Sequence, residues 1–310
     1  MIKIVRILFL LFFVSQNADA LMKADMPKSA KQGSLVRVLI TDPEGGPHDV
    51  HFYPVGWPEK PDHLEVHAVQ INADTQLALI PIGADAKPGL VLVSVFSRTF
   101  GYSLTLEIKE AGFPVSRDTQ FVGELKGKLL DDFRGQKEEL KKIFTERTEK
   151  RYWREDLKFS QPLKNMEVTS PFGKIRHKVS KKDGKWDINH FGADLHADVG
   201  TPVYAVEKGV VRLATKFLAE GKIVIIDHGY GLFSLYFHLL RLKVYEGDIV
   251  NRGDVIAWSG QTGAAIGPHL HFEWRLYGTA ISPWNFMPEP PMFEQKAVPP
   301  PAKKKRRGAK

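Results

Sequence analysis

No cysteine occurs in the 310 residues. That absence excludes disulfide bonds, thiolate zinc sites, a cysteine nucleophile and a lipidated N-terminal cysteine. Long apolar runs are missing too. Residues Ile7–Val14 form an apolar run too short to span a bilayer, and no later run reaches the ~18 residues of a membrane helix. Acidic residues are outnumbered, 36 against 44 lysines and arginines, for a formal charge of +8. The excess is unevenly placed. Lys303, Lys304, Lys305, Arg306, Arg307 and Lys310 crowd the C-terminal end and leave the body close to neutral. The basic balance is thus mostly a property of a tail and carries little about fold or site.

What is present is the composition of a soluble globular protein, 43% hydrophobic and 26% charged. A chain of this length can bury one large core or two ordinary ones without cross-links. At the N-terminus, Lys3 and Arg6 precede the apolar run, and Ala18-Asp19-Ala20 follows it with small residues where a signal peptidase reads. This pattern predicts a signal peptide over 1–20 and export to a periplasmic or extracellular location.

Residues 21–115 read as a small, Ig-like β-sandwich. Leu35–Ile40, Leu77–Ile80, Leu90–Phe96 and Tyr102–Ile108 are strand-like, separated by turn signals such as Lys87-Pro88-Gly89. His63 and His67 stand four apart, with no third ligand evident beside them, and read as surface histidines. Residues 116–159 carry Leu125, Leu129, Leu130, Phe133, Leu140, Ile143 and Phe144 at roughly helical spacing among charges. They predict one or two amphipathic helices, with Gly135 as the break point if there are two, read as a packed linker in preference to a lid or groove wall. Residues 160–287 return to β signals, with strands expected at Val203–Val206, Gly209–Leu213, Ile223–Ile226, Leu232–His238 and Leu270–Leu276. Residues 288–310 are Pro-rich and then basic, and predict disorder. The fold class is therefore mainly β, with two β domains joined by helix.

Three segments of the second β domain carry chemistry: His190-Phe191-Gly192-Ala193-Asp194, Leu235-Tyr236-Phe237-His238-Leu239 and Gly267-Pro268-His269-Leu270-His271-Phe272. Side chains at i, i+2 and i+4 of a strand share a face. On that rule His190 and Asp194 point the same way, His269 and His271 share a face, and Tyr236 lies on the face of His238 with Phe237 turned away. Glycines at 192 and 267 allow close approach of backbone or substrate. A catalytic zinc site uses three protein ligands, typically histidine with a carboxylate, and leaves one position for water. Amide cleavage also needs proton transfer, for which histidine titrates in the right range. These five residues supply three ligands and two proton-transfer groups.

From about Val168 to Pro283 the sequence resembles the LytM/lysostaphin-type zinc endopeptidases. The resemblance runs through Thr169-Ser170-Pro171-Phe172-Gly173, His190 to Leu195, Gly200 to Ala205, Asp227-His228-Gly229, Tyr236 to Leu239, Gly247 to Val250 and Gly267 to Glu273. It implies an antiparallel sheet with an open groove and one Zn2+ per chain. It further implies His190, Asp194 and His271 as metal ligands, and His238 and His269 as the catalytic pair. The implied substrate is the peptide stem or cross-link of peptidoglycan. Residues 21–115 are similar to the β-sandwich ahead of the catalytic domain in some members. The family often has an arginine two positions after the glycine of its Phe-Gly motif. Here Arg176 is one place late and is not counted as a site residue. His196 and His228 match no ligand position and read as turn or supporting residues.

Some LytM-like proteins have lost ligands and activate a cell-wall amidase instead. That alternative predicts a missing ligand, and none is missing. The basic tail predicts weak electrostatic contact with anionic envelope polymers or membrane, and no specific nucleic acid.

Overall fold

The structure, a computed structural model, describes residues 22–293 except 44, 54–62, 99 and 147. The expected signal peptide and residues 294–310 of the tail lie outside the described residues. Among those described, no helix is long and apolar enough to cross a membrane. They form two compact units. One holds residues 22–29, 36–80 and 89–107, and the other holds 30–35, 81–88 and 108 onward.

The first unit is built of two sheets. One has the order Lys23–Asp25, Leu35–Thr41, Thr75–Pro81, Val69–Gln70. The other has the order Ser29–Lys31, Gly101–Lys109, Gly89–Phe96, Asp49–Tyr53, Leu64–His67. Alternation along the strands puts Val36, Val38, Ile40, Val50, Phe52, Val66, Val93 and Val95 inside. All four strands read from apolar runs are present. Asp49–Tyr53 and Leu64–His67 escape such a search, because histidines and carboxylates fill their outward positions. His63 and His67 lie along this strand pair.

The second unit is dominated by one large antiparallel sheet. Its path runs Val168–Ser170, Ala193–His196, His269–Leu276, Leu232–Leu242, Gly221–Asp227, Gly209–Phe217, Ile249–Val250. The strands at the centre are rich in Val, Ile, Leu and aromatics. Ile223 to Ile226, Phe233, Leu235, Tyr236, Leu270, Phe272 and Trp274 are all buried. A separate three-stranded sheet pairs Gly184–Asn189 antiparallel to Ile175–Ser180, which pairs parallel to Val115–Phe121. Its polar, exposed sequence explains why no apolar run announces it.

Residues 116–159, expected as a helical linker, therefore begin in a strand. The helix itself, Lys128–Thr145, runs unbroken through Gly135. It buries Leu140 and Ile143 against Leu213, Phe217, Ile225, Phe233 and Phe237 of the large sheet. Lys137 Nζ donates to Glu220 Oε1 at 2.7 Å, and Leu218 N donates to Gln136 Oε1 at 2.9 Å. The expectation of disorder from 288 is corrected for 288–293. Val168 N donates to the Pro291 carbonyl and Phe293 N to the Val168 carbonyl, both at 2.8 Å, and Phe293 stacks on His196. Val168 lies on an edge strand, whose outward backbone groups need partners.

Candidate metal centre

The site grows out of sheet register. Asp194 and Phe237 sit opposite His271 on its two neighbouring strands. Residues directly opposite in an antiparallel pair have side chains in contact. His190 arrives differently from the expected extended segment. It follows the Gly184–Asn189 strand, its N donates to the Lys174 carbonyl, and its carbonyl accepts from Gly173 N. The chain then turns through Phe191-Gly192 into the large sheet, bringing His190 back against Asp194. Gly192 makes that turn possible, because a Cβ there would lie 2.6 Å from both His271 Nε2 and the Phe272 carbonyl. Around Gly267, by contrast, a Cβ would meet nothing within 4 Å.

Three donor atoms converge. His190 Nε2 is 3.1 Å from His271 Nδ1 and 3.0 Å from Asp194 Oδ1, and His271 Nδ1 is 2.9 Å from that same oxygen. Sides of this length suit three ligands around one ion at roughly 2.0–2.1 Å. The other atoms of each ligand are held from outside. His190 Nδ1 donates to the Pro171 carbonyl at 3.0 Å, which leaves Nε2 as a bare lone pair. His271 Nε2 faces Glu273 Oε2 at 3.4 Å. Arg176 Nη2 donates to Asp194 Oδ2 at 2.8 Å and to Ser170 Oγ at 3.1 Å. Ligands anchored this way on their far side are the pattern of a metal centre, and the donor set fits zinc. The triad is a candidate metal-binding group among the described residues.

Electrostatics of the metal-free site follow from burial and charge. Burial disfavours charge on His271, yet the Asp194 and Glu273 carboxylates outweigh it and lift its pKa to about 9. Burial would raise the Asp194 carboxyl, but the His190 and His271 imidazoles hold it well below the carboxylate range. Burial lowers His190. Without metal, then, a proton on His271 occupies the lone pair that a ligand would offer.

His238 and His269 stand beside the triad, their ring centroids 4.8 Å apart. His238 Nδ1 donates to the Thr262 carbonyl and His269 Nδ1 to the Gly267 carbonyl, each at 2.8 Å. A carbonyl can only accept, so both rings keep Nε2 as the available atom. His269 Nε2 lies 3.6 Å from Asp194 Oδ1. Burial holds His238 down to about 4.

The expected faces of the Leu232–Leu242 strand need correction. Phe237, not Tyr236, shares the face of the site. Its ring stacks on His271 at 4.9 Å and 11°. Tyr236 points into the opposite core, where its hydroxyl meets Val206 N and Ser234 Oγ. The cause is a register shift between Lys222 and Val224, which stand opposite Leu239 and Tyr236. His238 occupies the extra position with φ 61°. A bulge of this kind breaks the period of two, so adjacent residues 237 and 238 both reach the site.

All five residues named from the sequence meet here. His196 and His228 do not join them. His228 is fully buried, bonded to the Lys208 carbonyl and to Ser234 Oγ, and burial takes it to about 4. Missed were Arg176, set aside on spacing, and Glu273, whose position two after His271 on one strand face was the available signal.

Residues 188–283 match the family model described as Peptidase family M23. Over that region the chain is homologous to M23/LytM-type peptidases and carries the His-Asp-His triad. The DD-carboxypeptidase/endopeptidase Mpg of Neisseria meningitidis serogroup B is 37% identical over 123 residues, 40% of this chain and 27% of its own. The peptidoglycan DD-endopeptidase ShyA of Vibrio cholerae serotype O1 is 39% identical over 116 residues, 37% of this chain and 26% of its own. The chain thus matches about a quarter of the length of these relatives. A crystal structure from Pseudomonas aeruginosa, assigned to peptidase M23, shares the fold with a TM-score of 0.61. It is 23% identical, covering 82% of this chain and 93% of its own.

Proposed function

We propose that this protein is a zinc-dependent endopeptidase that hydrolyses peptide bonds in the stems or cross-links of bacterial peptidoglycan. The observation that carries the reading is the triangle of His190, Asp194 and His271 with two histidines beside it whose Nδ1 atoms are committed to backbone carbonyls, which leaves Nε2 for proton transfer. His190, Asp194 and His271 hold one zinc ion per chain. Bound zinc supplies Lewis acidity and a water of lowered pKa. His238 and His269 do the proton work at Nε2, one taking a proton from the attacking water and the other giving one to the leaving amine. Their Nδ1 bonds to backbone carbonyls fix the tautomer and keep the rings aimed. Arg176 fixes the Asp194 carboxylate so that Oδ1 faces the ligand histidines.

The pattern at residues 1–20 supports export, so the substrate is met outside the cytoplasm. The names of Mpg and ShyA make a DD-peptide cross-link the first substrate to try, with a glycine bridge as the second arm. The amidase-activator reading is disfavoured by the complete ligand set.

The test is residues 21–310 incubated with cross-linked peptidoglycan, with and without a zinc chelator, and products read by mass spectrometry. Chelator-sensitive loss of cross-linked fragments is expected, restored by added zinc. Intact cross-links in protein whose bound zinc is lost on His190→Ala/His271→Ala substitution, and so sits at the triad, overturn the reading.

A further inference from the structure

A second constellation of metal donors lies on the first unit, on the outward face of the Asp49–Tyr53 and Leu64–His67 strands. The register pairs Asp49 with His67 and His51 with Glu65. Val50, Phe52 and Val66 alternate with them and are buried, so 49, 51, 65 and 67 all turn outward together. His63 precedes its strand, and its ring lies parallel to that of His51, with centroids 4.8 Å apart and planes at 5°. Donor atoms of His51, His63 and Glu65 all lie within 4.8 Å of one another. So do those of Asp49, Glu65 and His67, with His67 Nδ1 at 2.5 Å from Asp49 Oδ1.

An outward strand face is ordinarily solvated and mixes both signs of charge. This one does not. Five of its positions carry metal-donor side chains, Tyr53 fills the sixth, and none is lysine or arginine. Phe96 meets the His51 ring edge-on at 5.0 Å, and Tyr53 lies 5.3 Å from His63. The imidazoles thus have aromatic rings beside them and carboxylate donors within reach. Two imidazoles with a carboxylate suit zinc and its neighbours in the first transition row, and not magnesium or calcium, which take oxygen donors.

The geometry points to a second zinc site, with His51, His63 and Glu65 as ligands and the Asp49–His67 pair adjoining it. The site stands apart from the peptidase reading and does not depend on it.

The experiment uses the full mature chain, dialysed against buffered micromolar free zinc and assayed for bound metal by mass spectrometry. Wild type is expected to hold two zinc ions per chain. The His190→Ala/His271→Ala variant is expected to hold one, and adding His51→Gln and His63→Gln is expected to leave none. Cobalt(II) gives a second readout: the His190→Ala/His271→Ala protein should retain visible d–d absorption, lost with His51→Gln/His63→Gln. Both added substitutions lie on the outward face, and an unchanged melting temperature in chelator shows that the unit stays folded. The inference is overturned if the His190→Ala/His271→Ala protein binds no zinc, or binds zinc that His51→Gln/His63→Gln does not remove.

Discussion

Zinc affinity at the triad should depend steeply on pH, with a slope set by His271. In the metal-free protein this ring sits between the Asp194 and Glu273 carboxylates and keeps its proton up to about pH 9. The proton and the metal compete for the same Nδ1 lone pair. Below that pKa each binding event must release one proton, so the association constant should rise about tenfold per pH unit and level off above pH 9. At pH 7 the ring is two units below its pKa, and affinity is roughly a hundredfold under its plateau. His190 and Asp194 add nothing in this window, because burial lowers the first and the second is already ionised. Glu273→Gln removes one of the two carboxylates and should shift the bend in the profile to lower pH. The assay is competition with a chromophoric chelator from pH 6 to 9.5, corrected for the chelator's own protonation. It should be run in the His51→Gln/His63→Gln background so that one site is read. An affinity that is flat from pH 7 to 9 refutes the reasoning.

Roles within the site should separate in mutants. His190→Ala, Asp194→Ala and His271→Ala should lose zinc at the triad and all cleavage. His238→Ala and His269→Ala should keep most of the zinc and lose about 10²–10⁴-fold in turnover, read by metal content against peptidoglycan digestion. Gly192→Ala drives a Cβ to 2.6 Å from His271 Nε2 and the Phe272 carbonyl. It should destabilise the protein by about 1–3 kcal/mol, measured by denaturant unfolding, and weaken zinc binding in a titration. Arg176→Ala frees Asp194 Oδ2 and should weaken zinc binding by about 10–100-fold, with Arg176→Lys recovering only part because it offers no fork. His228 is neutral when folded, with its pKa lowered to about 4 from 6.5. The unfolded chain binds the extra proton first, so stability should fall as pH drops from 6.5 to 4. The loss is about 3 kcal/mol relative to a His228→Gln reference in unfolding titrations.

Much of this protein was legible without coordinates. The two β regions and the helix declare themselves through apolar periodicity, because burying one face of a strand or helix imposes its own repeat. The five candidate site residues stand out through residue type, because few side chains can hold zinc or move a proton near neutrality, and the structure brings them together. The polar strands at Asp49–Tyr53, Leu64–His67 and Ile175–Asn189 were not legible. No local apolar run marks them, and they are anchored by pairing to strands distant in the chain, Gly89–Phe96 for Asp49–Tyr53 and Val115–Phe121 for Ile175–Ser180. The face assignment at Tyr236 and Phe237 failed for a related reason. A period of two holds only while the ladder is regular, and the bulge at His238 is defined by the partner strand. Arg176 was discounted by counting positions from Gly173, whereas its reach to Asp194 is set by how the Ile175–Ser180 strand lies in space. Glu273 was visible as a letter, and its role came only with His271 beside it. Residue chemistry was thus determined by the sequence alone. Which of those chemistries share one point in space was decided by strand pairing, as it was for His51, His63 and Glu65, whose donor atoms come within 4.8 Å of one another because Asp49–Tyr53 pairs with Leu64–His67.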